Sequence, residues 1–180
     1  MAFNVAEFRS NMIGDGARPN LFQVNLTFPT ILNSITAPSR KISFMARAAQ
    51  LPGSSVGTVP VYYFGRELKF AGNRTFADWT LQIINDEDFS IRDAIESWMN
   101  SMNSNAGNVR DTAYETPTSY TVDAQVTQYG NTGNTLKTYN FVGMFPLDLA
   151  PIDLDWGSND SIEEFTMTLA YRWWETDSTT

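Results

Sequence analysis

Hydrophobic and polar residues alternate along much of the chain, and a period of two is typical of β-strands with one buried face. The clearest example is segment 162–173, in which Phe165, Met167 and Leu169 alternate with largely polar residues. The same pattern, bounded by residues that favour turns, predicts strands over residues 21–28, 41–50, 59–64, 67–71, 76–84, 120–129, 136–142 and 162–173.

A different period occurs once, over residues 88–102, where apolar residues recur at the 3.6-residue spacing of a helix. Its apolar stripe consists of Ile91, Ile95, Trp98, Met99 and Met102. The acidic residues just before it suit the positive end of a helix dipole, and Asn85 or Asp86 is expected to cap the helix.

Short segments rich in turn-forming residues connect these elements. Residues 65–66 and 72–73 are expected to be tight turns, and residues 130–134 a hairpin loop. A break is expected at 51–55 and a long connection at 143–157.

Strands that follow one another through short turns pair mainly antiparallel. We therefore expect a mainly β fold with one α-helix, arranged as an antiparallel β-sandwich or a partly closed barrel. The whole chain, residues 1–180, is expected to be one domain. Within it, residues 1–18 are expected to form an N-terminal arm, and residues 175–180 a frayed tail.

The composition removes several classes of function. The chain of 180 residues contains no cysteine and no histidine, which excludes disulfides, thiolate metal sites and histidine-based catalysis. No stretch is apolar enough for a membrane-spanning helix, and no secretory signal is recognisable. The net charge is −8, and an acidic chain does not bind nucleic acid phosphates tightly.

Two groups of carboxylates are candidates for chemistry. Residues 86–88 are consecutive acids that are able to bind a divalent cation, but they lack the spacing of a calcium loop, so helix capping is favoured. Asp148, Asp153 and Asp155 lie in one connection and are candidates for acid–base work on a sugar. Solvated loop acids are the favoured interpretation of this second group.

Large aromatic residues are adjacent in two predicted strands, at 62–64 and 173–174. Because neighbouring strand residues point to opposite faces, both faces of these strands carry large aromatic surface. An isolated copy would expose one of the two faces, which favours an interface between proteins over ordinary burial.

Several segments, in order along nearly the whole chain, resemble the tail tube proteins of contractile-tailed bacteriophages. They include RPNLFQV at 18–24, AQLPG at 49–53, GRELKFAGNRTFADW at 65–79, INDEDF at 84–89 and the strand that ends at residue 174. No single motif is specific, but the ordered set is. The asparagine-rich segment 99–108 departs from the family's pattern.

The resemblance implies a structural virion protein and not an enzyme, with no cofactor and no metal. Such proteins form hexameric rings whose strands join neighbours into a ring-shaped barrel, and the rings stack into a tube inside a contractile sheath. DNA passes through the tube without specific binding. Implied partners are copies of the chain, the tail sheath protein, the tape measure protein in the lumen, and baseplate and tail terminator proteins. The implied location is the virion tail, with assembly in the host cytoplasm.

Two segments, 51–55 and 58–74, are expected to carry the contacts between subunits or rings. Arg66, Lys69 and Arg74 are expected to pair with acids of a neighbouring copy, such as Asp86 and Asp88. The full set of candidate contact residues is Leu51, Pro52, Gly53, Tyr62, Phe64, Gly65, Arg66, Lys69, Arg74, Asp86, Asp88 and Trp174.

Other functions remain compatible with the sequence. The chain is also compatible with a tube initiator, or with the tube of a phage-like injection or secretion machine. A carbohydrate-binding β-sandwich that uses its tryptophans and a carboxylate-dependent glycosidase are further alternatives.

Overall fold

The computed structural model describes residues 4–29, 32 and 38–179, and within them the chain forms nine β-strands and four α-helices. None of the helices in this described part is long and apolar enough to cross a membrane. The strands are β1 Phe22–Leu26, β2 Ala46–Ala49, β3 Ser54–Tyr63, β4 Arg66–Phe76, β5 Trp79–Ile84, β6 Val122–Tyr129, β7 Thr135–Leu149, β8 Glu164–Ala170 and β9 Trp173–Thr176. The helices are α1 Val5–Asn11, α2 Ser39–Met45, α3 Ser90–Met102 and α4 Pro117–Tyr120.

Seven of these strands form one antiparallel sheet in the order β1-β6-β7-β8-β5-β2, with β9 pairing with β7 beside this path. The path does not close on itself, so β1 and β2 are its two ends. The remaining strands, β3 and β4, pair with each other as a separate two-stranded sheet.

Strand β7 connects the two halves of the large sheet because it bends at Gly143. Up to Val142 it pairs with β9, its pairing with β6 ends at Met144, and from Phe145 onward β7 pairs with β8. Gly143 has a φ of +66°, a conformation that glycine adopts without steric penalty, and its N–H donates to Asp123 Oδ1 over 3.0 Å. The bend lets both halves of the sheet cover one core, in which the ring centroids of Trp79 and Phe141 lie 4.8 Å apart.

Helix α3 packs its apolar stripe into this core. Ile91, Ile95 and Trp98 are buried, as the helical periodicity predicts. The indole N–H of Trp98 donates to the carbonyl oxygen of Tyr120 over 2.9 Å, and its ring meets Phe28 edge-on at 6.0 Å. The helix is therefore fixed by both apolar packing and a directed hydrogen bond.

The expectation of a mainly antiparallel β fold is confirmed, but the described residues contain four α-helices where one was expected. The strand expected over 41–50 is wrong in its first half, which is helix α2. Ile42 and Met45 are three residues apart, a spacing that also suits a helix, and Ile42 is buried while Phe44 is exposed. The turn expected at 72–73 is also wrong, because β4 continues to Phe76 past a bulge opposite residues 56–58.

Further boundaries differ from expectation. The break expected at 51–55 ends at Gly53, because β3 begins at Ser54, and the strand expected over 162–173 ends at Ala170, because Trp173 begins β9. The connection expected at 143–157 begins as strand, because β7 continues to Leu149. The tail expected to fray from residue 175 starts with the end of β9, which pairs with β7 and buries Thr176. Residues 1–3 of the expected arm, residues 30, 31 and 33–37 between β1 and α2, and residue 180 lie outside the described residues.

Candidate assembly surfaces

Strands β3 and β4 form a long hairpin that is exposed along its whole length. Every residue of β3 is exposed, and only the seventh and the last residues of β4 are half-buried. Phe64 and Gly65 make the turn with φ angles of +46° and +79°, the paired positive values of a tight two-residue hairpin turn. A two-stranded hairpin is marginally stable in water by itself, so this one requires further contacts.

The pairing register divides the hairpin into two different faces. Residues that pair directly across the strands share a face, and on one face Val59 pairs with Phe70 and Val61 with Leu68. We call Val59, Val61, Tyr63, Leu68 and Phe70 the apolar face of the hairpin. This face is uncovered within the subunit, since Val61 is 45% and Phe70 is 55% exposed.

The opposite face is mixed in character. It carries Thr58 paired with Ala71, Pro60 with Lys69, and Tyr62 with Glu67. The expected contact residues are therefore spread over the hairpin: Tyr62 and Lys69 lie on the mixed face, Phe64 and Gly65 in the turn, Arg66 at the end of the apolar face, and Arg74 near the root opposite Val56.

Four members of the apolar face lie in the expected contact segment 58–74 but were not among the expected contact residues: Val59, Val61, Leu68 and Phe70. The sequence contained a signal for them, because Val59 and Val61 are two residues apart, as are Leu68 and Phe70. Residues at this spacing lie on the same face of a strand. Pairing β3 with β4 across the turn at 64–65 brings the two apolar sets together.

The root of the hairpin is held to the large sheet by two tryptophans. Trp79 Nε1 donates to the carbonyl oxygen of Gln50 over 2.7 Å, and Trp174 Nε1 donates to that of Gly53 over 3.3 Å. Trp174 also packs against Tyr139, with ring centroids 5.7 Å apart. Trp174 and Gly53, both expected at an interface, thus have partners inside the subunit, whereas Leu51 beside them is exposed.

Asp86 and Asp88 also have a partner inside the chain. Lys41 Nζ lies 2.8 Å from Asp86 Oδ2 and 2.5 Å from Asp88 Oδ1, which ties α2 to the loop before α3. The hydrogen bond from Lys41, followed by that from the Ser90 backbone N–H, lowers the pKa of Asp88 to about 2. The same two carboxylates raise the pKa of Lys41.

The start of α3 differs from the expected cap. Helix α3 begins at Ser90 after Phe89, whose φ is +50°, and Asp88 Oδ1 accepts from the Ser90 N–H over 3.1 Å. Asn85 donates its side-chain N–H to Glu163 instead of capping the helix. Among the described residues, no group of acidic side chains is placed to hold a metal ion.

A second uncovered surface is the loop of residues 151–163, which joins β7 to β8 and which we call the acidic loop. It exposes Leu154 to 84% and Trp156 to 99%. Asp155 accepts a hydrogen bond from the Gly157 N–H over 3.0 Å at its Oδ1 and another from the Ser158 N–H over 3.1 Å at its carbonyl oxygen, which fixes a turn around Trp156.

The acidic loop contains four carboxylates, Asp153, Asp155, Asp160 and Glu163, and no lysine or arginine. Two of the three acids considered for sugar chemistry, Asp153 and Asp155, belong to it, while Asp148 lies in β7. Its exposed apolar residues were not among the expected contact residues, because a long connection with several aspartates is typical of a solvated loop.

The outer face of β5 and β8 is polar and carries little charge. Thr80 pairs with Thr168 and Gln82 with Thr166 on this face, whereas the alternate residues of both strands are buried in the core. At its end, Glu164 forms an ion pair with Arg47 and accepts a hydrogen bond from Gln82 Nε2 over 2.8 Å. The charge of Arg47, which lies in the neighbouring strand β2, is thereby neutralised.

Comparison with known proteins gives these surfaces a context. The family model described as phage tail tube protein matches residues 17–177. The chain is 34% identical over 163 residues to the tail tube protein gp19 of Enterobacteria phage T4, covering 90% of this chain and 93% of that protein. It is 28% identical over 169 residues to the tail tube protein of Serratia phage KSP90, with 93% of each chain covered.

Three solved structures share the fold at low sequence identity. One is a sheath/tube terminator of an extracellular contractile injection system, with a TM-score of 0.64 and 17% identity over 90% of this chain and 96% of that one. Another is the sheath–tube complex of that system, with a TM-score of 0.61 and 16% identity over 98% and 99%. The third is an anti-feeding prophage baseplate, with a TM-score of 0.60 and 15% identity over 89% and 95%.

The curated relatives are structural tail tube proteins of phages, so the expectation of a structural virion tail component, and not an enzyme, is confirmed. The resemblance deduced from the ordered motifs is confirmed as well. On the match over residues 17–177 and the identity to the phage T4 protein, the chain belongs to the phage tail tube protein family.

Proposed function

We propose that six copies of this chain form a ring and that the rings stack into a hollow tube through which DNA passes. The observation that carries this proposal is the β3–β4 hairpin, whose strands are exposed on both faces although one face is apolar. An uncovered apolar face on a structural protein requires a partner, and a tail tube protein has copies of itself available as partners. The expected contact residues in the hairpin and in the break before it belong to these interfaces.

The two strands at the ends of the large sheet support the pairing of neighbouring copies within a ring. Strands β1 and β2 end the path of the large sheet, and an unpaired edge invites uncontrolled association unless it is covered. Pairing of strands between neighbouring copies removes these edges and extends the sheet into a ring-shaped barrel.

The polar face of β5 and β8 suits the wall of a passage. Its threonine and glutamine side chains are neutral, and Arg47 of the neighbouring strand β2 is paired with Glu164. Each copy also adds a net charge of −8, so a ring repels phosphates and DNA slides without specific binding. In the assembled tail, the same lumen holds the tape measure protein before DNA enters.

The partners outside the tube follow from the family and from the solved structures of similar fold. We propose that the outer surface contacts the tail sheath protein, that one end of the tube starts on a baseplate, and that the other end meets a tail terminator protein. Assembly takes place in the host cytoplasm before the finished tail joins the virion.

Electron microscopy of purified protein, with and without supplied baseplates, tests the proposal. Hollow tubes built from six-fold rings are expected, either from the protein alone at high concentration or on the baseplates. Protein that stays monomeric on supplied baseplates would contradict the tube, and binding of polysaccharide by such monomers would favour a carbohydrate-binding module.

The charged residues of the hairpin have their own test. Arg66→Glu reverses the charge at the end of the apolar face, so it is expected to weaken tube assembly without destabilising the monomer, because Arg66 is exposed. Intact assembly by this variant would show that Arg66 does not pair with acids of a neighbour.

A further inference from the structure

We propose that the apolar face of the hairpin in one copy packs against the acidic loop of another copy. This inference rests on the proposed self-assembly and adds the surface that receives the hairpin. Within one copy both surfaces are uncovered, as the exposure of Phe70 and of Trp156 shows. The partner of each surface therefore lies outside the subunit.

The two surfaces match in apolar character. The hairpin offers a row of branched and aromatic side chains, and the acidic loop offers Leu154, Trp156 and Ile162, all exposed. Trp156 stands at the tip of a turn whose backbone is held by hydrogen bonds to Asp155, so the turn presents its indole to solvent. Tryptophan is among the residues on which the affinity of protein interfaces most often depends.

The two surfaces are also opposite in charge. Arg66 is the charged residue on the apolar side of the hairpin, whereas Glu67 and Lys69 lie on the mixed face; the acidic loop carries four carboxylates and no cation. Such complementarity fixes the register of an interface and disfavours contacts between two like surfaces, such as loop with loop. The acids that meet Arg66 are thus those of the acidic loop, because Asp86 and Asp88 already share Lys41.

The shape of the loop fits the end of a hairpin. An open cleft of about 410 Å³ lies along the acidic loop, with Leu154, Ile162 and Glu163 among its lining residues. At the hairpin tip, Phe64 is 90% exposed, and its ring meets that of Tyr63 edge-on. The cleft has room for an aromatic side chain, and its mainly polar walls place carboxylates beside the apolar side chains of Leu154 and Ile162.

The contact is between two different patches, so it does not end at a dimer. Each copy has one hairpin and one acidic loop, and a head-to-tail contact of this kind propagates into a closed ring or a continuing stack. That property is what a tube built from one kind of subunit requires.

Cysteine cross-linking tests the contact directly, because the chain has no cysteine of its own. Val61→Cys places a thiol on the apolar face, and Leu154→Cys places one on the acidic loop. The two variants are mixed, assembled and treated with a short bismaleimide. A covalent dimer of one Val61→Cys copy and one Leu154→Cys copy is expected in the mixture, and neither variant alone is expected to give it.

Two further variants serve as matched controls. Thr58→Cys lies on the opposite face of the same hairpin, and Thr132→Cys lies in the exposed loop between β6 and β7. Mixing Thr58→Cys with Leu154→Cys, or Val61→Cys with Thr132→Cys, is expected to give much less covalent dimer. Equal cross-linking in these mixtures would overturn the proposed contact.

Trp156→Ala provides a second measurement that does not depend on cross-linking. The melting temperature of the monomer is expected to stay unchanged, because Trp156 is fully exposed. The protein concentration needed for assembly is expected to rise about tenfold or more, as for loss of an interface anchor. If this variant assembles like the natural protein and the Val61–Leu154 cross-link is absent from well-formed tubes, the inference is wrong while the tube stands. Natural protein that stays monomeric on baseplates would overturn both.

Discussion

Replacing Phe70 with threonine separates the role of the hairpin in assembly from any role in the stability of the subunit. Phe70 is 55% exposed, and threonine keeps the preference for a strand. Full burial of a phenylalanine side chain contributes about 1.5 to 3 kcal/mol, so covering the exposed half at an interface contributes about 0.8 to 1.6 kcal/mol. That corresponds to an increase of about four- to fifteenfold in the concentration needed for each contact.

The assay has two parts, which are assembly and unfolding. Light scattering over a range of protein concentrations gives the threshold for tube formation, and electron microscopy confirms the product. Urea unfolding of the unassembled protein gives the free energy of unfolding, which is expected to change by less than about 0.5 kcal/mol because the site is exposed.

Leu136→Thr is the matched control. Leu136 lies in β7 outside the hairpin and is 47% exposed, so the control removes a similarly exposed apolar side chain from a strand. The control is expected to assemble at the normal concentration. An unchanged threshold for Phe70→Thr, or an equal shift for both variants, would refute the assignment of the apolar face as an interface.

Three further outcomes are expected. Trp98→Phe removes the hydrogen bond to the Tyr120 carbonyl oxygen and some buried volume. The free energy of unfolding, measured in urea, is expected to fall by about 1 to 3 kcal/mol. An unchanged free energy of unfolding would show that α3 is not fixed by this contact. Trp174→Phe removes the hydrogen bond to the Gly53 carbonyl oxygen. Amide hydrogen exchange in the hairpin of the monomer is therefore expected to be faster than in the natural protein, while the core keeps its protection. Equal exchange rates in the hairpins of the two proteins would mean that the indole does not hold the root. Asp88→Asn tests the ion pair with Lys41. The lowered pKa of Asp88 makes its contribution full above pH 4 and lost as the pH falls towards 2, so the natural protein is expected to be more stable than the variant at pH 5, with the difference disappearing near pH 2. A difference that persists at pH 2 would contradict this assignment.

The strands that bury one face were predictable because their alternation is set by the core. β5 and β8 bury every second residue, and both were expected from this alternation, although the strand expected over 162–173 ends at Ala170 and Trp173 begins β9. The helix α3 was predictable for the same reason, since Ile95 and Trp98 must reach the core together.

The remaining elements depend on contacts between distant parts of the chain. Segment 39–45 contains apolar residues that fit either a strand or a helix, and only its packing across β1 and β5 decides between them. In β7, Gly143 and Pro146 suggest breaks, but the glycine bends the strand without ending it, and the proline is accommodated beside a bulge.

The candidate surfaces were predictable only in part. A hairpin turn was expected at residues 65–66 and lies one residue earlier, at Phe64 and Gly65, whereas the sorting of side chains onto two faces depends on the register between β3 and β4. The acidic loop was not expected as a contact surface, since its carboxylates are typical of solvated loops. Trp156 distinguishes it, because a tryptophan at the tip of such a loop is uncovered unless a partner lies there.

A three-dimensional electron microscopy reconstruction of the assembled protein tests the central claim most directly, because it shows what covers the hairpin. We expect stacked six-fold rings in which the apolar face of each β3–β4 hairpin is buried against another copy. An assembly in which both faces of the hairpin remain in contact with solvent would contradict the account.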